Sequence, residues 1–225
     1  GRCSCGRPSS AGAADMPGVL AYALTGGGID GTHVVKAAAG YAHLLLLARD
    51  GSLFSCESGD DGYGGRLQRA PPPNGFGQLG RPGPPLEPRR LDPSRFASSP
   101  LLAIAAGRCA SFALDAAGRV YSWGCNQSNG QPPAGGQAAA LVPGLEKRGR
   151  VTSIAAGEYH VIVALERGGV LVWGAGVGSA TPVPVRGLPA TTAITVAAGY
   201  QHSLAVMACD EAVAAAARET VEKDL

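Results

Sequence analysis

Three histidines, His43, His160 and His202, each stand three residues after the glycine of an Ala-Ala-Gly triplet. Imidazoles gathered in one place would make a metal site. Gly75-Phe76-Gly77-Gln78-Leu79-Gly80 spells the GxGxxG of a dinucleotide loop, whose glycines must lie between a strand and a helix so that the helix N-terminus holds the phosphates. Cys3 and Cys5 offer two thiolates, with no second pair at zinc spacing. Each pattern meets an obstacle. Arg81-Pro82-Gly83-Pro84-Pro85 follows the glycines and cannot open a regular helix. Histidines at one equivalent place in successive copies of a repeat are what a structural role predicts, the imidazole bridging loop backbone groups between units. No Ser/His/Asp, Cys/His or paired-carboxylate arrangement can be assembled from sequence neighbours. We therefore expect no catalytic residue, no metal and no cofactor.

The elements that carry these residues recur. Residues 101–124 read LLAIAAGRCASFALDAAGRVYSWG, residues 151–174 read VTSIAAGEYHVIVALERGGVLVWG, and the phrase starts again at 194 as ITVAAGYQHSLAVM. Aligned on Gly40, Gly107, Gly157 and Gly199, the copies stand 67, 50 and 42 residues apart, and an insertion over 57–73 accounts for the long first interval. A period of that length belongs to a solenoid or a propeller. Each copy has an apolar run into the triplet, a second run such as 161–165, a turn at Asp50-Gly51, Ala117-Gly118 or Gly168-Gly169, and a third run ending in Trp123-Gly124 or Trp173-Gly174. Runs apolar on both faces suit sheets covered on both sides, and glycine supplies the positive φ of a tight hairpin. The expected fold is all-β, an incomplete array of propeller blades. Copies are expected over 33–100, 101–150, 151–193 and, in part, 194–207. A poorly defined segment, 1–32, precedes them, and 208–225 reads as a short helical tail.

The order AAGxxHSLAL, DG, VYSWG, NxxGQLG resembles the regulator of chromosome condensation repeat, which builds seven-bladed β-propellers. Gly199, His202, Ser203 and Leu204, then Gly118, Tyr121, Trp123 and Gly124, then Asn74, Gly77, Gln78, Leu79 and Gly80 carry the likeness, which runs from about 33 to 207. It implies that the small triplets form crowded inner strands and that the tryptophans wedge between blades. It also implies structural roles for Gly40, His43, Gly107, Trp123, Gly124, Gly157, His160, Trp173, Gly174, Gly199 and His202. The chain departs from the pattern at Cys56-Glu57, where Trp-Gly is expected, at Ala110, where histidine is expected, and over 178–184, which lacks GQLG.

Charged residues are 16% of the chain and the net charge is +2, which gives no footprint for direct nucleic-acid binding or for an anionic membrane. No stretch reaches the roughly 18–20 apolar residues of a membrane span. Six cysteines in no framework spacing are expected to be reduced, partly buried thiols in a cytoplasmic or nuclear protein. Within the resembled family the same propeller serves as an exchange factor for the small GTPase Ran or as a docking platform. The docking reading demands least: a protein-interaction module with a scaffold or regulatory role. Its expected contact loops are the insertion, with Asp60, Asp61, Tyr63, Arg66 and Arg69, and the connector, with Arg89 and Arg90. Three and a half blades would leave apolar sheet faces bare. A chain that starts at Gly1 is then expected either to be part of a longer protein or to self-associate into seven blades.

Overall fold

The computed structural model describes residues 24–57, 75–97, 99–125, 138–189 and 191–209. They form three four-stranded antiparallel sheets and one two-stranded sheet, all in simple meander order. Blade 1 is β1 (Val34–Ala39), β2 (His43–Ala48), β3 (Leu53–Glu57) and β4 (Arg89–Arg90); blade 2 is β5 (Leu101–Ala106), β6 (Ala110–Asp115), β7 (Val120–Gly124) and β8 (Ala140–Leu141). Blade 3 is β9 (Val151–Ala156), β10 (Val161–Leu165), β11 (Val170–Gly174) and β12 (Ser179–Pro184); the half blade 4 is β13 (Ala193–Ala198) and β14 (Ser203–Met207). The blades follow one another as an open arc, not a closed ring.

Why these strands stack is legible in their second members. Every residue of β6 and β10 is buried, because alternate side chains enter two different interfaces. Phe112 and Leu114 join Val161, Val163 and Trp173 between blades 2 and 3. Ala113 joins Leu45, Leu47, Tyr121 and Trp123 between blades 1 and 2. Ile162 and Ala164 meet Val196 between blades 3 and 4. The core is thus a series of layers between sheets. The outer face of blade 1 is covered by Leu24 and Ile29, which pack on Leu46 and Phe54.

The first strands carry the triplets, and β1, β5, β9 and β13 touch in succession. That close approach is what the alanines permit. The hairpin glycines Gly51, Gly118, Gly168 and Gly169 have φ between 78° and 89°, as a tight turn requires.

Each complete blade also has a fourth strand that the hydrophobic pattern does not reveal. β4 and β8 are two residues long and exposed, and β12 contains prolines on an outer edge, where a missing N–H is tolerated. One cysteine expectation is corrected: Cys109 and Cys125 are joined in a disulfide, Cα–Cα 5.4 Å, while Cys56 is buried and Cys209 exposed. The Cys109 carbonyl accepts the Cys125 amide at 2.9 Å, so β6 and β7 already bring the two residues together across the open end of their hairpin.

Candidate functional site

The histidines are where blades are stitched to one another. His43 Nε2 lies 2.9 Å from Ser111 Oγ of blade 2, and His160 Nε2 lies 2.7 Å from Ser203 Oγ of blade 4. In both, the Nε2 partner is a serine hydroxyl one residue past the equivalent position in the next blade, and the His160 ring also meets the backbone of His202. Blade 2 has Ala110 in place of the histidine, and its neighbour in blade 3 has Val161 in place of the serine. Both are fully buried in one apolar cluster. A polar pair has been exchanged as a pair for an apolar contact, which leaves no buried hydroxyl unpaired.

Burial holds the His43 imidazole at about 4, below its usual 6.5, and lowers that of His160 in the same direction. The unfolded chain therefore takes up protons before the folded one as the pH falls. The stability gained from a neutral His43 is present above about 6.5 and is lost between there and about 4, on the order of 3 kcal/mol in all. Thermal melts across that window should show a falling midpoint for the chain and a shallower fall for His43→Ala. Equal slopes would mean that other groups set the acid sensitivity.

The GxGxxG segment serves the interface between blades 1 and 2. The Gln78 carbonyl accepts from Trp123 Nε1 at 3.0 Å and from Ser111 Oγ at 2.8 Å, and Leu79 is fully buried. Beside it lies Arg81, a buried arginine the sequence reading passed over. Its guanidinium donates to the carbonyls of Ser55, Pro82, Pro84 and Glu87 and to Ser55 Oγ, folding the proline-rich stretch onto β3. An arginine followed by four residues containing three prolines was its only signal.

Of the expected contact residues, Asp60, Asp61, Tyr63, Arg66 and Arg69 lie outside the described residues, as do all but the first two residues of the tail expected to be helical over 208–225. Arg89 and Arg90 are not in a loop: they form β4, paired with Ser55 and Phe54. Both are exposed, and Arg89 pairs with Glu87 at 2.7 Å. Arg95 donates to the Gly80 carbonyl. Arg150 clamps blade 2 to blade 3 through Glu166 at 3.0 Å and the Ala116 carbonyl.

A different cluster emerges on the turns that join first and second strands. Each turn is closed by an amide of the triplet glycine donating to the carbonyl three residues on, at 2.8–2.9 Å. Two residues lie in between in each turn. They are Tyr41-Ala42, Arg108-Cys109, Glu158-Tyr159 and Tyr200-Gln201. The Arg108 guanidinium sits 5.6 Å from the Tyr41 ring centre and 5.2 Å from that of Tyr159, with Nη1 3.2 Å from Glu158 Oε1. Backbone bonds carry the row on, from Arg108 N to Glu158 O and from Glu158 N to Tyr200 O. Tyr200 is 64% exposed and Tyr41 39%. A cation held between two rings and beside a carboxylate is oriented before anything binds. Exposed tyrosines and a fixed arginine are the residue types that anchor protein interfaces. The signal in the sequence was only that the first residue after each triplet glycine (Tyr41, Arg108, Glu158, Tyr200) is large and polar or aromatic.

Among the described residues no group of three or more His, Cys, Asp or Glu side chains could hold a metal ion. No described helix is long and apolar enough to cross a membrane.

Meander sheets stacked through their second strands, with small inner strands and a Trp-Gly edge, define a β-propeller blade array. The regulator of chromosome condensation (RCC1) repeat matches residues 102–131, and the chain is an RCC1-type repeat protein. Protein pim1 of Schizosaccharomyces pombe is 30% identical over 169 residues, 70% of this chain and 28% of pim1. Human WBSCR16 superposes with a TM-score of 0.63 at 20% identity, covering 81% of this chain and 46% of that one. Prp20p of Saccharomyces cerevisiae superposes at 0.59 and 23% identity, covering 86% and 48%. The chain thus spans under a third of pim1 and about half of each of these solved structures.

Proposed function

We propose that this chain is a protein-interaction module, a scaffold or regulatory unit that docks a partner on the turn row Tyr41–Arg108–Tyr159–Tyr200. The observation that carries it is the pre-oriented Arg108 between the Tyr41 and Tyr159 rings, in a row that backbone bonds extend to exposed Tyr200. The reading asks for no reaction at the site. The insertion over 57–73 and the exposed Arg89–Arg90 strand are proposed as accessory contacts. Cytoplasm or nucleus is the proposed compartment.

The test compares the chain with an Arg108→Gln/Tyr200→Ala variant by quantitative cross-linking in extract. Cation and ring lie on the surface, so melting should change little, whereas loss of two anchors should weaken a partner by about tenfold or more. A partner set unchanged in identity and amount sinks the reading. A second reading is exchange on a small GTPase. It is favoured by the fold of Prp20p, whose binding to Gsp1p and histones has been characterised together with its structure. Nucleotide release from such a GTPase, accelerated by catalytic amounts of this chain, would replace docking with exchange.

A further inference from the structure

We propose that a groove between blades 1 and 2 binds an acidic peptide segment of a partner protein, anchored by a large apolar side chain. The groove is open and measures about 1020 Å³. It lies beside the hairpin that joins β2 to β3, at the other end of these strands from the turn row, and is argued independently of docking there. Its apolar lining includes Leu47, Leu53, Leu91, Phe96 and Leu101, all buried. Lys36, Arg49 and Arg90 line it too, against a single carboxylate, Asp50. All three cations are exposed.

The next interface shows why this one is open. Between blades 2 and 3 the Val151 amide donates to the Gly118 carbonyl of the blade 2 hairpin at 3.2 Å, and Arg150 donates to the Ala116 carbonyl at 2.9 Å. Blade 2 has Pro100 and Leu101 at the positions of Arg150 and Val151. Proline brings no donor, and among the described residues no backbone bond joins Leu101 to Gly51, the counterpart of Gly118. Lys36 crosses the space instead, its Nζ donating to the Leu102 carbonyl at 2.6 Å, with ammonium protons to spare. Asp50 is engaged by Ser52, whose amide and hydroxyl each donate to it at 2.9 Å. Among the described residues no carboxylate stands within ion-pair distance of Lys36, Arg49 or Arg90. The groove thus sets surplus positive charge beside apolar surface. Charge complementarity selects carboxylates, and the leucines take the anchor. Phe96, the aromatic residue of the lining, is 4% exposed and offers no face for base stacking, which favours a peptide over a nucleic acid.

The probe is a fluorescein-labelled peptide, EDELFDEE, titrated with the full 225-residue chain by anisotropy. Saturable binding is expected below about 1 mM, weakening as salt rises from about 50 to about 500 mM. The neutral counterpart QNQLFNQQ and the anchorless EDEAADEE should each bind about tenfold more weakly or worse. In the chain, Arg49→Gln/Arg90→Gln should weaken the parent peptide by about fivefold. Lys147→Gln/Arg148→Gln removes the same charge from an exposed stretch away from the groove and should leave binding unchanged. No saturation up to about 1 mM, or either altered peptide binding as well as the parent, would overturn the proposal. So would equal losses from the two chain variants, or an eight-nucleotide oligothymidylate that binds more tightly than the peptide.

Discussion

Trp123→Ala is expected to be among the most damaging single substitutions in the chain. The indole is 2% exposed, packs on Phe96 at 6.0 Å between ring centres, and donates to the Gln78 carbonyl. Truncation opens a cavity at the junction of two blades and costs about 3–5 kcal/mol. Trp123→Phe separates packing from hydrogen bonding. It fills most of the space, and the Gln78 carbonyl still accepts from Ser111, so the loss should be about 1 kcal/mol. Denaturant midpoints at unchanged slope measure both. Equal losses for the two variants would mean that the hydrogen bond, not the packing, joins these blades.

Gly157→Ala tests the other half of the interface. The glycine needs no unusual backbone angle, so its reason is space. An added Cβ would stand 2.3 Å from the His160 ring and 2.4 Å from the Gly199 carbonyl oxygen of the next blade. The ring could turn only by giving up Ser203, and the carbonyl belongs to a paired backbone. A single methyl should therefore cost about 3 kcal/mol. Gly176→Ala is the comparison: the nearest atom there is 3.3 Å away, and its effect on the denaturation midpoint should be far smaller. A Gly157→Ala chain that denatures where the parent does would show that the blades separate readily at this point.

The blade count, the strand order and the inward triplets are legible because each is a pattern in the sequence. An apolar run that is continuous rather than alternating announces a strand covered on both sides, and Ala-Ala-Gly marks where sheets crowd. The fourth strands escape that reading. Arg89–Arg90 and Ala140–Leu141 bury nothing, and hydrophobic periodicity reports only burial. The disulfide escapes it too. Sixteen residues separate Cys109 from Cys125, and their meeting depends on the register that sets Ala110 opposite Gly124.

The candidate site divides in the same way. Repeat positions are visible as letters, so the histidines and tryptophans could be assigned to the architecture from their spacing. What each of them touches could not. His43 meets Ser111 across 68 positions of chain, and Arg108 meets Glu158 across 50. By itself the sequence determined the unit and its repetition, because local strand and turn preferences are written within some 40–50 residues. Only the tertiary structure decided the turn row around Arg108 and the open groove. Both are made by side chains from different copies, and the stacking of one blade on the next sets which of them come within reach.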